Sequence, residues 1–404
     1  MRLHRNLVFA VIDGLSDIFN NDKYADKVVQ SLLKRDKRWG ARDRGFIAET
    51  TYEMVRWRRL YAEIADVKQP FSREDLWRMF AVWAVLRGVK LPDWPQLAKT
   101  PSRRIKGKFE ELSKIRKFKE SIPDWLDALG EKELGRAVWD KEIAALNEQA
   151  DLVVRTNTLK GTKQDLKKAF KEIEIETDSI SGSKEALLLK ERSNIFTTEL
   201  FKNGLFEVQD ASSQLVATFA DPKPGNKVVD ACAGAGGKTL HLAALMENQG
   251  QIIALDIYQN KLKELKRRAR RAGAHNITPK WIENNKVIKK LHGKADIVLI
   301  DAPCSGLGVL KRNPDAKWKL TPEFLDNIKE TQEKIISDYS KMVKPGGSLV
   351  YATCSILPSE NQLQINKFLD SEIGKDFIFV SDRKILAHET GFDGFYMAML
   401  KKNN

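Results

Sequence analysis

The sequence predicts an α/β architecture: a doubly wound sheet of seven strands, preceded by a small α+β module and an N-terminal helical bundle. Three observations carry this. From Lys227 onward, short apolar runs alternate with helical patterns, the signature of crossover connections packed on a sheet. Before residue 145, no two-residue alternation interrupts the helical spacing. Between the two, from Val153, the texture changes to short strand-like pieces around one helix.

The elements follow in order. Leu7, Val8, Val11, Ile12, Leu15 and Ile18 recur at helical spacing, as do Val28, Val29, Leu32 and Leu33. A further helix opens at Asp43-Arg44-Gly45-Phe46, and another carries Leu76, Met79, Phe80, Val82, Trp83 and Leu86. These form a bundle over 1–145. Ser121-Ile122-Pro123-Asp124 reads as a boundary before a short helix. The α+β module, 150–210, takes a strand at 152–157, a helix at 163–173 and strand-like pieces at 186–189 and 205–208. The third region, 211–404, takes strands at 227–231, 251–255, 278–282, 295–300, 348–353, 377–380 and 395–400. Helices at 238–247, 259–272, 323–343 and 359–370 fill the gaps. The last two strands lack a long helix between them, so an antiparallel final strand is expected.

Composition excludes several classes. The 404 residues hold no apolar run of membrane-spanning length, and the N-terminus has no signal-peptide core, so a cytoplasmic protein is expected. Three cysteines make no disulfide framework and no Cys-x-x-Cys pair, and the five histidines include no metal-binding spacing, so no metal is expected. The net charge of +14 favours a polyanionic partner, with nucleic acid first among such partners. Residues 102–119 are strongly basic, as is the helix bearing Lys261, Lys263, Lys266, Arg267, Arg268, Arg270 and Arg271. The second set surrounds most of its helix, so some side chains face phosphates and others face solvent.

The chemistry gathers where predicted strands give way to loops, the ligand-binding edge of an open α/β sheet. After the first strand of the third region comes Asp230-Ala231-Cys232-Ala233-Gly234-Ala235-Gly236-Gly237-Lys238-Thr239, a glycine-rich turn leading into a helix. Asp256 ends the next strand, where an acid can accept hydrogen bonds from ribose hydroxyls. A nucleoside-containing cofactor is implied. Gly-x-Gly-x-x-Gly is missing, which weakens a dinucleotide, and Cys232 stands where a phosphate-binding loop needs glycine. S-adenosylmethionine fits best, having a ribose and no phosphate chain. The other two cysteines end two further strands, in Asp301-Ala302-Pro303-Cys304-Ser305-Gly306 and Thr353-Cys354-Ser355. A buried cysteine is ordinarily a small apolar filler. Two of them on the ligand edge fit the transfer of a methyl group to cytosine C5, where a thiolate must first add to C6. That thiol needs nearby positive charge or a base to ionise. Asp301 is suited to hold the base near N3. The residues alone do not rank the two thiols.

These motifs, with Lys311-Arg312-Asn313-Pro314-Asp315, Arg155-Thr156-Asn157, Gln209-Asp210-Ala211-Ser212-Ser213 and Asp393-Gly394-Phe395-Tyr396, resemble the Sun/Nop family of RNA cytosine-5 methyltransferases over roughly 150–400. Leu7 to Leu60 resembles a helical NusB-like RNA-binding domain, through its helix pattern and the Asp43-Arg44 and Tyr52-to-Arg56 positions. The resemblance implies a Rossmann-like methyltransferase sheet. It makes Cys354 the nucleophile and Cys304 an aid to product release, with Lys238 and Asp301 beside them. It implies cofactor contacts from Cys232, Ala233, Gly234, Ala235, Gly236, Gly237, Lys238, Asp256 and Asp301, with Glu283 or Asn284 supplying the position after the third strand. Three departures stand out: Ala235 replaces a usual proline, that third acid is ambiguous, and Asn313 stands where histidine is common. The implied partner is RNA, small-subunit ribosomal RNA first and tRNA second, reached with the target base unpaired or flipped. A monomer is expected. The competing readings are a non-catalytic RNA-binding assembly factor and a small-molecule methyltransferase, which would leave the basic helical region without a role.

Overall fold

The computed structural model describes residues 2–404. The chain forms two compact units, Met1–Glu148 with Leu310–Thr321, and Gln149–Val309 with Pro322–Asn404.

Within the first unit, the stretch before residue 149 is helical throughout among the described residues. Its core is the apolar stripe of the helix Arg5–Asn20, with Leu7, Val8, Val11, Ile12 and Leu15 packed among Met54, Val55, Leu76, Met79 and Phe80. The helix Arg73–Leu86 starts at a capping box: the Ser72 hydroxyl accepts from the Asp75 amide, and the Asp75 carboxylate accepts from the Ser72 amide. The predicted boundary at Ser121–Asp124 lies inside this unit, which continues through the helices Asp124–Leu134 and Arg136–Leu146.

Leu310–Thr321 departs from the contiguous division expected at 211. It belongs to the helical unit, and backbone capping explains why. Asp315 accepts from the Ala25 amide at 2.9 Å, at the start of the helix Ala25–Leu32. The Trp318 indole donates to the Val55 carbonyl at 2.7 Å. The fully buried Lys317 Nζ donates to the carbonyls of Arg56 and Glu120 and to Asn147 Oδ1, at 2.9, 3.3 and 2.9 Å. No hydrophobic period announces these bonds.

The second unit holds two sheets. The strands β1 Val153–Thr156, β2 Thr177–Ser179, β3 Ala186–Leu189 and β4 Phe206–Val208 form an antiparallel sheet in the order β2-β3-β1-β4. Phe170 of the helix Lys163–Glu172 packs on its face with Phe206. Strand β2 is too short and too polar to show in the sequence. The larger sheet comprises β5 Lys227–Asp230, β6 Gln251–Asp256, β7 Ile277–Trp281, β8 Ala295–Asp301, β9 Val343–Thr353, β10 Phe377–Ile385 and β11 Phe395–Lys402. Its order is β10-β11-β9-β8-β5-β6-β7, a seven-stranded Rossmann-like sheet. Strands β5 to β9 pair in parallel, and β11 runs antiparallel to both β9 and β10. The central strands are buried on both faces, hence their unbroken apolar runs. The chain moves from β5 outward to β7, then restarts at β8 on the other side of β5. That reversal opens a crevice beyond the carboxyl ends of β5 and β8.

The smaller sheet is tied to the larger one. Asn157 donates to the carbonyls of Gly204 and Ala272, at 2.7 and 2.8 Å. Gly204 has a positive φ of 69°, and a Cβ there would meet the Arg271 carbonyl oxygen at 2.1 Å, so only glycine fits.

Candidate active site

The turn after β5 runs over the crevice. Gly234 and Gly236 take left-handed backbone, φ 55° and 89°. A Cβ on Gly236 would strike Leu265 Cγ at 2.7 Å, whereas the space beside Gly234 and Gly237 is open. The helix Gly237–Leu245 then starts with its amides at this edge. Asp256, at the end of β6, fixes the turn: its carboxylate accepts from the Gly234 amide and from the Tyr258 amide, each at 2.7 Å. Each oxygen takes one backbone donor and keeps lone-pair capacity for a hydroxyl. Exposed Ile257, Tyr258 and Trp281 lie at the same strand ends, and the Trp281 indole donates to the Ile257 carbonyl at 3.0 Å. An acceptor pair, an open glycine turn and apolar surface alongside suit a ribose-bearing sulfonium cofactor. Glu283 lies two residues beyond β7 and is exposed, and Asn284 Oδ1 accepts from the Lys286 amide at 3.0 Å.

Where the resemblance leads one to expect proline, the Ala235 carbonyl accepts from Arg268 at 2.8 Å, and Arg268 in turn pairs with Glu207 at 2.9 Å. The turn is thus braced from outside. Arg155, fully buried, donates to the Gly237 carbonyl at 2.8 Å and to Gln209. Burial pulls its guanidinium down to about 10. Arg268 and Arg271 therefore have a third fate beyond phosphate or solvent: both clamp the buried Glu207.

Asp301 ends β8 and accepts from the Lys238 ammonium at 2.6 Å. Burial pushes the Lys238 ammonium toward its neutral form, but the charge and hydrogen bond of Asp301 outweigh that and leave it above its ordinary value. The charge of Cys354 adds to this. The ammonium also lies 5.3 Å from the centre of the Phe395 ring.

Strands β8 and β9 are parallel neighbours, with Asp301 opposite Ala352. Their ends consequently place Cys304 and Cys354 together, the two sulfurs 3.3 Å apart, with both residues half-buried. The hydrogen bond to Cys354, then burial, then the charges of Cys354 and Glu360 push the Cys304 thiol well up. Cys304 thus keeps its proton, and either sulfur can donate the hydrogen bond between them. Gly308 closes the site from the side. Its amide donates to the Cys354 carbonyl at 2.9 Å, and a Cβ there would meet the Gly394 carbonyl oxygen at 2.1 Å.

The sequence-expected residues gather at adjoining strand ends, Glu283 included: it follows Ile282, whose amide donates to the Asp256 carbonyl at 3.0 Å. Sequence reasoning missed Arg155 as a brace, Arg268 and Glu207, and the buried Glu360. Glu360 follows Thr353-Cys354-Ser355 by five residues, and an acid next to an apolar turn is the single signal that could have raised it. Among the described residues no cluster of metal-ligating side chains occurs.

Two family models match the chain: 16S rRNA methyltransferase RsmB/F over residues 217–401, and the ferredoxin-like domain of RsmF/B-like methyltransferases over 122–196. A probable ribosomal RNA small subunit methyltransferase B from Synechocystis is 32% identical over 98% of this chain and 99% of its own length. The ribosomal RNA small subunit methyltransferase B of Vibrio cholerae is 32% identical over 70% of this chain and 65% of its own. Among solved structures, a methyltransferase homologue from Pyrococcus horikoshii superimposes with a TM-score of 0.63 at 28% identity, covering 71% of this chain and 97% of its own. The crystal structure of PH0851 shares the fold along the whole of both chains, with a TM-score of 0.83 at 24% identity.

Proposed function

Since the chain belongs to the 16S rRNA methyltransferase RsmB/F family, we propose that it transfers a methyl group from S-adenosylmethionine to C5 of a cytosine in small-subunit ribosomal RNA. The observation that carries this reading is the pair of sulfurs at two neighbouring strand ends, beside an ion-paired carboxylate and one turn from the glycine loop.

The bound cofactor supplies an electrophilic methyl carbon. Gly234, Gly236, Gly237 and the Asp256 carboxylate would hold it, with Cys232, Ala233 and Ala235 forming the rest of the turn. The flipped base enters from the open edge. Asp301 holds the base near N3, and Lys238 keeps that carboxylate in place. The Cys354 sulfur adds to C6, which raises electron density at C5. Lys238 provides the positive charge that favours a thiolate beside it. After C5 takes the methyl group, a water at the open edge takes the C5 proton, the C5–H electron pair re-forms the C5–C6 double bond, and the Cys354 sulfur leaves as a thiolate. Cys304, which retains its proton, is placed 3.3 Å from the departing sulfur to assist.

The test is Cys304→Ala, incubated with small-subunit ribosomal RNA and labelled cofactor. The expected result is an RNA–protein adduct that survives denaturation and disappears in Cys304→Ala/Cys354→Ala. An adduct formed equally well without Cys354 would overturn the division of labour. Bisulfite mapping of cellular RNA with and without the gene identifies the base. A modified position in tRNA alone would replace the substrate.

A further inference from the structure

Behind the two cysteines lies a carboxylate that the proposed reaction does not use. Glu360 is fully buried and close to both cysteine loops. Its Oε1 accepts from the Ser305 amide at 2.8 Å and from Gln332 Nε2 at 3.0 Å. Its Oε2 accepts from the hydroxyls of Ser305 and Ser355. Ser305 follows Cys304, and Ser355 follows Cys354. The same Gln332 amide donates its other proton to the Pro303 carbonyl at 2.9 Å, on the other side of Cys304. Next in the chain, Asn361 takes the Thr353 hydroxyl at 2.6 Å and donates to the Ser355 carbonyl at 2.9 Å, so it grips both neighbours of Cys354. The Tyr351 hydroxyl anchors the Glu360 carbonyl at 2.8 Å.

The two cysteine loops leave different strands, and the bond directly joining their serines, Ser305 Oγ to Ser355 Oγ, is long at 3.2 Å. One carboxylate spans both. We propose that Glu360 is a positioning residue that sets the distance between the Cys304 and Cys354 sulfurs, and that it does so by geometry rather than by charge. Glutamine in its place keeps the span: its oxygen accepts from the Ser305 amide and Gln332, and its amide donates to the two hydroxyls, which rotate to accept. Aspartate lacks one methylene and cannot reach both loops. A displacement of ~1 Å at a reacting pair costs about a hundredfold in rate.

The kinetic part of the test rests on the proposed methyl transfer, but a second part does not. Diamide removes two electrons and two protons from a pair of thiols, leaving a disulfide and the reduced hydrazine, at a rate that depends on how closely the sulfurs approach. Wild type, Glu360→Gln and Glu360→Asp are treated with diamide, and the Cys304–Cys354 disulfide is followed by peptide mapping. The expected order is wild type and Glu360→Gln alike, with Glu360→Asp slower by about tenfold or more. In turnover, Glu360→Asp loses kcat with KM for RNA unchanged, accumulates the denaturation-resistant adduct, and Glu360→Gln restores release. Equal disulfide rates in a normally melting Glu360→Asp would overturn the proposal. So would equal slowing in both variants, which assigns the effect to charge. Should Glu360→Asp not fold, Ser355→Ala removes the arm to the Cys354 loop alone and must slow the disulfide; an unchanged rate there has the same meaning. Failure of Cys304→Ala to form an adduct would count against the methyl-transfer reading and leave the disulfide comparison to judge Glu360.

Discussion

Asp230 offers the sharpest test of the electrostatics beneath the site. It ends β5, is fully buried, and accepts from the Thr239 hydroxyl at 2.7 Å. Burial pushes its carboxyl from an ordinary 3.8 up to about 7, and the Asp301 charge adds to this, while Thr239 and Lys238 oppose it. The folded protein therefore holds a proton that the unfolded chain releases near 3.8. Between those values the native state binds more protons, so stability falls as pH rises. The penalty is absent below about 4, grows across that window and is complete above about 7. At 1.36 kcal/mol per tenfold in proton affinity, the full effect is ~4 kcal/mol. Asp230→Asn cannot ionise and still offers Thr239 an oxygen. Thermal melts of wild type and variant, taken from pH 4 to pH 9, should run together at the acid end and diverge toward pH 8. At ~2–4 °C per kcal/mol for a domain of this class, the divergence is about 10 °C in favour of the variant. Parallel curves across the whole range would refute the reasoning, because any pH-independent offset belongs to the amide itself.

Three further outcomes follow from the packing. Gly308→Ala drives a methyl group into the Gly394 carbonyl and against the Cys354 carbonyl, and should cut kcat about a hundredfold while leaving RNA affinity intact, as read by filter binding. Glu207→Gln leaves Arg268 and Arg271 without their carboxylate and should cost ~3 kcal/mol in urea unfolding, with the larger loss at low salt. Lys317→Ala removes the donor shared by Arg56, Glu120 and Asn147 and opens a cavity; ~3 kcal/mol lost from the helical unit, followed by hydrogen exchange of its amides, is expected.

The alternation that announced β5 to β9 was legible because each strand is buried on both faces and each crossover helix carries one apolar stripe. Helix limits agreed within a few residues, as with Gln259–Ala272, predicted at 259–272. Strand β2 was invisible, since three residues with two exposed carry no period. Leu310–Thr321 was assigned to the wrong neighbourhood for a related reason. Its attachment rests on Asp315, Lys317 and Trp318 reaching backbone atoms 197 to 290 positions away, and such bonds leave no local pattern.

The sequence by itself determined the chemistry available: two thiols, an acid and a glycine turn, each at the end of an apolar run, because strand ends and turns are local properties of the chain. It placed Cys304, Cys354, Asp301, Lys238 and Asp256 on one edge. Only the tertiary structure decided which of them touch. Strand order makes β8 and β9 neighbours, so cysteines fifty positions apart come within 3.3 Å. Glu360 joins their loops, and Arg268 braces a turn that lacks its proline. Those relations depend on pairing and burial between distant segments, and neither is encoded in any single window of residues.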